Sequence, residues 1–217
     1  MSDTTSREKV LKKVRKALIH KTTQEPGDVD LESEIYSVPD EPLEILFAQK
    51  LTRLNGNFVF CETEKEFTNN LAALIRENGW DNVFALEGKI KRLLSDAGIA
   101  FSDKPEDFKD LNVGITLCES LVARTGSVMI SSRQASGRKL PVYPNYHIVL
   151  GYISQLVMTH KEALKLISEK YAGQIPSLIS SITGPSRTAD IEKTLVQGAH
   201  GPKEIYVFLV DDTHLSE

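Results

Sequence analysis

The chain has 217 residues, 41% of them hydrophobic, and a formal net charge of −4. That length can bury a full core, the negative balance argues against nucleic acid as a partner, and no apolar run approaches the roughly 20 residues a membrane span needs. Cys61 and Cys118 are too few and too far apart for a disulfide framework, which suits reduced thiols in a cytoplasmic α/β protein.

Residues 6–21 hold Arg7, Lys9, Lys12, Lys13, Arg15, Lys16 and Lys21 against Glu8, with Val10, Leu11, Val14, Ala17 and Leu18 at helical spacing. The pattern predicts an amphipathic helix that packs its apolar stripe on the domain or on a second copy of the chain; docking on an acidic partner is the alternative. Residues 22–42 are rich in carboxylates and hold Pro26, Gly27, Pro39 and Pro42, as a linker does. The predicted division is an N-terminal helix and linker over 1–40 and an α/β domain over 41–217.

Within that domain, 41–54 reads as a helix stopped by Asn55-Gly56, and Asn57–Cys61 as a strand. Thr63-Glu64-Lys65-Glu66 has the form of a capping box opening a helix to residue 78. A strand at 82–86, a helix at Gly88–Asp96 and short strands at 99–101 and 112–117 follow. Residues 121–126 turn back into a strand at Ser127–Ser131. A strand at 147–150 and a helix over 153–171 come next. This order predicts a layered α/β fold with a mainly parallel central sheet, its inner strands including 177–182 and 205–210.

The stretch from Thr183 to Glu192 follows one such strand, and Ile191, Leu195 and Ala199 then recur at helical spacing, closed by Gly198 and Gly201. A strand-to-helix junction presents unpaired N–H groups and a partial positive charge, and Arg187 adds a bidentate cation. Gly184, Ser186, Arg187 and Thr188 are therefore candidate anion-binding residues. The same stretch also suits a plain helix cap made by Ser186 or Thr183 with Pro185 in the first turn. Thr125 and Gly126 form a tight turn that permits close backbone approach. Residues 133–146 form a basic loop containing Arg138. Glu119, at a strand end, and His147, directly after that loop, are the candidate acid–base groups, although Glu119 could as easily orient a loop and a structural role is the default for His147. Arg187, the N–H groups after Gly184 and the turn Thr125-Gly126 are expected to face one anion pocket, with His147 and Arg138 lining its other side. His200 beside Gly201-Pro202 suits a helix end better than a base. The five histidines and two cysteines show no metal-ligand spacing, so no metal or cluster is expected on this chain.

Three pieces together resemble the lactate-utilisation (LUD) domain family. They are Gly114-Ile115-Thr116 with Glu119 and Ala123 through Gly126; Arg138 through Pro144 with His147; and Gly184 through Glu192 with Gly198 and His200-Gly201-Pro202. The resemblance implies a Rossmann-like, NagB/RpiA/CoA-transferase-like α/β sandwich. It also implies a part in oxidising L-lactate to pyruvate, with iron–sulfur clusters carried by partner subunits, this chain being a clusterless subunit that binds a small carboxylate or other anion. Arg124 stands where an acidic residue is expected before Thr-Gly, and Tyr143 where leucine is usual. The alternatives are a stand-alone acyl-CoA transferase or phosphosugar isomerase, a folate cyclo-ligase, and a non-catalytic assembly or regulatory protein. No glycine-rich phosphate loop supports the enzymes.

Overall fold

The structure is a computed structural model that describes residues 5–19, 40–189, 195–198 and 200–213. The chain divides into two compact units, Met1–Asp40 and Glu41–Glu217. In the first, helix α1 (Ser6–Ile19) opens on a reciprocal cap. The Glu8 N–H donates to Thr5 Oγ1, and the Thr5 N–H donates to the Glu8 carboxylate. Every residue of α1 is exposed, Val10, Leu11, Val14 and Leu18 included. The predicted linker falls almost wholly outside the described residues.

The second unit runs α2 (Leu43–Arg53), β1 (Asn57–Cys61), α3 (Glu64–Glu77), β2 (Val83–Ala85), α4 (Gly88–Asp96), β3 (Val113–Leu117), β4 (Ser120–Val122), β5 (Ser127–Ser131), β6 (Tyr146–Tyr152), β7 (Leu156–Val157), α5 (His160–Lys170), β8 (Ile179–Ile182), β9 (Arg187–Ala189), β10 (Leu195–Gln197) and β11 (Glu204–Val210). The apolar runs at β3, β6 and β11 pair in parallel, giving a five-stranded sheet in the order β1-β11-β6-β3-β2. Such runs are what strands covered on both faces require. One face carries Ile115, Ile148, Leu150, Phe208 and Val210, packed against Phe67 and Leu71 of α3 and Ile90 and Leu94 of α4. The other carries Val149, Ile205, Val207 and Leu209, packed against Phe47 and Leu51 of α2 and Val128 and Ile130 of β5. β5 belongs to a second sheet, β7-β4-β5-β8, whose outer face lies on Ala163 and Ile167 of α5. The layers are thus helices, parallel sheet, small mixed sheet with α2 beside it, and helix.

Four expectations are corrected. Residues 177–182 do not join the parallel sheet; β8 is the edge of the small sheet, antiparallel to β5. Ser180 and Ser181 explain this, since a strand buried on both faces has no water for two hydroxyls. Among the described residues no helix follows Thr183; β9 and β10 pair as an antiparallel ribbon. The Ser186 N–H, a donor that a helix start would leave free, is used on Pro202 O, and the Gly198 N–H donates to Ser186 O. Ile191 and Ala199 lie outside the described residues. Residues 153–171 are a short 3₁₀ turn, then β7, then α5, whose start is fixed by Thr159 accepting from the Glu162 N–H. Residues 99–101 form no strand; Ser102 makes a single bridge to Phe84.

Candidate functional site

Three separated segments meet around a cavity of about 290 Å³: the loop between β5 and β6, the chain from β8 to Ser186, and His200-Gly201-Pro202. Arg138 lines it and donates to Ser177 Oγ at 2.8 Å. Ser131, Ser180, Thr183 and Ser186 add hydroxyls, and the exposed His200 adds an imidazole. Ile130, Pro141, Val142 and Ile182 supply apolar wall. The loop is held down by its own packing. Leu140 is fully buried, and a Cβ on Gly114 would lie 2.9 Å from the Pro144 ring and 3.0 Å from Leu140. Glycine at that position lets the loop lie directly on β3.

Of the residues singled out from the sequence, Arg138, Gly184 and Ser186 line this cavity together. Thr125 reaches it indirectly, since the Ser127 hydroxyl donates to Thr125 Oγ1 and bonds Thr183 Oγ1, each at 2.8 Å. Gly126 serves packing: at φ +62, a Cβ there would lie 2.4 Å from the Leu51 amide nitrogen. Gly184 does the same against the end of α2, where a Cβ would meet Leu54 O at 2.9 Å. The Arg187 guanidinium donates to that same Leu54 carbonyl, so it finishes the C-terminus of α2 and does not line the cavity. Thr188 lies in β9, paired with Val196. The Arg124 N–H donates to Met158 O, tying the turn to the residue after β7.

The two candidate acid–base groups are both buried. Burial alone would raise the Glu119 carboxyl. Hydrogen bonds from Lys170 Nζ (2.7 Å), the Ser131 hydroxyl and Tyr171 (2.7 Å) outweigh that effect and hold it below the usual carboxylate range. Glu119 is a fixed anion that orients Ser131, a wall residue of the cavity. His147 is fully buried, and burial pushes its imidazole down to about 3, so it is neutral at pH 7. Its Nε2 shares a 2.9 Å hydrogen bond with Thr116 Oγ1, and Nδ1 has no partner among the described residues. His147 is not among the residues lining the cavity. Cys118 is also buried, its thiol pushed up to about 12 by burial. Among the described residues no group of three or more His, Cys, Asp or Glu could hold a metal, and no helix is long and apolar enough to cross a membrane.

The sequence reading missed Ser131, Ser180, Thr183 and His200 as wall residues. The signal for His200 lay in the string His200-Gly201-Pro202. What concealed it was the assumption of a preceding helix.

A LUD domain matches residues 45–210. Lactate utilization protein C of Shouchella clausii is 36% identical over 134 residues, covering 61% of this chain and 52% of that protein. The Bacillus subtilis protein of the same name is 39% identical over 103 residues, covering 46% and 43%. The chain thus spans about half the length of the curated relatives it matches. A crystal structure of a DUF162 family protein from Deinococcus radiodurans shares the fold, with a TM-score of 0.55 at 17% identity over 77% of this chain and 96% of that one. A match over most of the α/β unit, with the parallel sheet it implies, is sufficient: the chain belongs to the LUD domain family.

Proposed function

We propose that this chain is a clusterless subunit of a lactate-utilisation system, and that its α/β unit binds a small carboxylate of the lactate or pyruvate class. The name shared by its relatives supports the pathway. One observation carries the ligand class: a guanidinium, four hydroxyls and an imidazole line a single small cavity whose remaining walls are apolar. An arginine fork matches a carboxylate in geometry and charge. Ser186 and His200, which also line the cavity, would bond a 2-hydroxyl or 2-oxo group, while Glu119 fixes the Ser131 hydroxyl. Oxidation of lactate to pyruvate removes two electrons and two protons, and iron–sulfur clusters on partner subunits are the proposed electron acceptor. The chain's own part is to bind and orient the acid.

The test is thermal-shift screening with L-lactate, pyruvate, phosphate and acetyl-CoA, on wild type and Arg138→Ala, followed by lactate-dependent dye reduction with and without the co-purified neighbours. Stabilisation by lactate or pyruvate that Arg138→Ala abolishes supports the reading. A shift with acetyl-CoA alone transfers it to the acyl-CoA transferases.

A further inference from the structure

A second hollow, of about 520 Å³, is also lined by Arg138. It shares Gly137 and Arg138 with the first cavity, but its character is different. Its walls include Phe84, Pro105 and Phe108, with Arg138 and Lys139 at its cationic side. Phe84 and Phe108 meet edge to face at 5.4 Å between ring centroids and make an aromatic strip on the wall. Phe108, the less buried of the two, offers the stacking surface. Asp103 also borders the hollow, but its carboxylate is paired with Lys91 at 2.9 Å, so the uncompensated charge there is positive. Lys139 is exposed and has no ion-pair partner among the described residues.

Ser136, 4% exposed, lines the hollow, with the Glu87 carboxyl behind it. Glu87 Oε1 accepts from the Ser136 N–H at 3.3 Å, and the Ser136 side chain bonds a carboxyl that burial raises. A hydroxyl that donates to a carboxyl keeps lone pairs for a donor on an occupant, which a purely hydrocarbon one would leave unused.

We infer that this hollow binds a heteroaromatic anion: a planar ring with a hydrogen-bonding edge facing Ser136, stacked on Phe108, bearing a phosphate or carboxylate held by Lys139 and Arg138. The size fits, since sites for ligands of this class occupy roughly 300–1,000 Å³. The chemistry is distinct from that of a small aliphatic acid, which has no ring to cover the aromatic strip. The domain would then hold two ligands, or two parts of one reaction's components, in hollows that share one arginine.

Isothermal titration of the full chain with AMP, flavin mononucleotide and nicotinate tests this, with adenosine as the control lacking the acid and ribose 5-phosphate as the control lacking the ring. At least one of the three ring-bearing acids is expected to bind with a submillimolar Kd, and the controls about tenfold more weakly or worse. Lys139→Ala and Phe108→Leu should each weaken binding about tenfold, while Ser186→Ala should leave it unchanged. Lys139 is exposed, so its replacement keeps the test informative if the Phe108 variant folds poorly. Failure of all three acids at millimolar concentration overturns the inference, as does ribose 5-phosphate binding as tightly as AMP, or indifference to Lys139→Ala. The lactate and pyruvate thermal shifts, measured on the same two variants, should not move. A failure of the small-carboxylate reading is therefore seen separately from a failure here.

Discussion

The two faces of the parallel sheet are covered by different materials, and the polar interior of the molecule follows that difference. Against α3 and α4 the buried strand residues are apolar, among them Val83, Ala85, Ile115, Ile148, Leu150, Phe208 and Val210. Against the small sheet they also present Thr116 and His147, which alternate with the helix-facing residues. Ser127, Glu119 and Ser131 are buried on or beside that small sheet as well. Helices bury an apolar stripe and complete their own backbone hydrogen bonds, so the first face can be dry. The second face is closed by a sheet with a free edge at β8 and by a loop pressed on Gly114. There the chain needs side-chain hydroxyls and carboxylates to fix its turns, and there it leaves room for a cavity. The candidate site lies on the side where the cover is irregular.

The largest effect should come from forcing that cover open. Gly126 sits at φ +62 with its missing Cβ 2.4 Å from the backbone of α2, so Gly126→Val should cost about 3 kcal/mol or more. Gly137 has a similar φ of +60 but nothing within 4 Å, so Gly137→Ala should cost only about 1–2 kcal/mol, the left-handed penalty alone. Urea denaturation of the pair separates packing from backbone strain. Equal costs would mean that α2 yields to the turn and does not clamp it.

Acid should come next, and it should act through the second face. The His147 imidazole is pushed down to about 3 by burial from an ordinary 6.5. Below about pH 6.5 the unfolded chain therefore binds a proton that the folded chain does not, so stability falls as pH falls, by up to about 1.4 kcal/mol per pH unit. The effect is fully recovered above about pH 6.5. Glu119, held below its ordinary value, adds a loss of the same sign at lower pH. His147→Gln should flatten the slope between about pH 6.5 and pH 4.5 in a denaturation series. An unchanged slope would mean that His147 is hydrated and titrates in the folded state.

How much of this was legible in sequence depends on which signals were local. The strands of the parallel sheet announce themselves as apolar runs, and Thr63 with Glu66 marks the start of α3. The same kind of signal, Thr159 with Glu162, marks α5, yet the apolar spacing from Ile153 onward suggested a longer helix. The stretch after Thr183 misled for a physical reason. Ile191, Leu195 and Ala199 have helical spacing, but Thr188, Thr194 and Val196 are β-branched and suit a ribbon, and the deciding bonds run from Ser186 to Pro202 and Gly198. Pairing across a dozen or more residues has no local signature. For the site, Arg138, Gly184 and Ser186 could be named from sequence, whereas the cavity itself could not, because it exists only once β8 stands at the edge of the small sheet.

Glu119 tests how the small sheet is pinned. Its side chain is fully buried, while its partner Lys170 is about half exposed, so most of the stabilisation should come from the hydroxyls of Ser131 and Tyr171. Glu119→Gln keeps the shape and loses the charge, and should cost about 2 kcal/mol in thermal or chemical unfolding. Lys170→Met, which removes only the half-screened cation, should cost less. The reverse order would put the weight on the ion pair.

The smallest effects on stability carry the sharpest distinction, between the two arginines that the sequence could not tell apart. Arg187 donates to the carbonyl of Leu54 at the end of α2, so Arg187→Ala should cost about 1 kcal/mol and leave any anion response intact. Arg138 is exposed, and its one protein hydrogen bond goes to Ser177 Oγ at 2.8 Å, so Arg138→Ala should change stability by no more than about 0.5 kcal/mol. In the presence of ligand the order inverts. A carboxylate at a hundred times its Kd adds about 2.7 kcal/mol to the folded state, roughly 5–10 °C in Tm for a domain of this size. Arg187→Ala should retain that increment and Arg138→Ala should lose it. If Arg187→Ala loses the shift while Arg138→Ala keeps it, the anion binds at the end of α2 and the cavity between β8 and the loop is not its site.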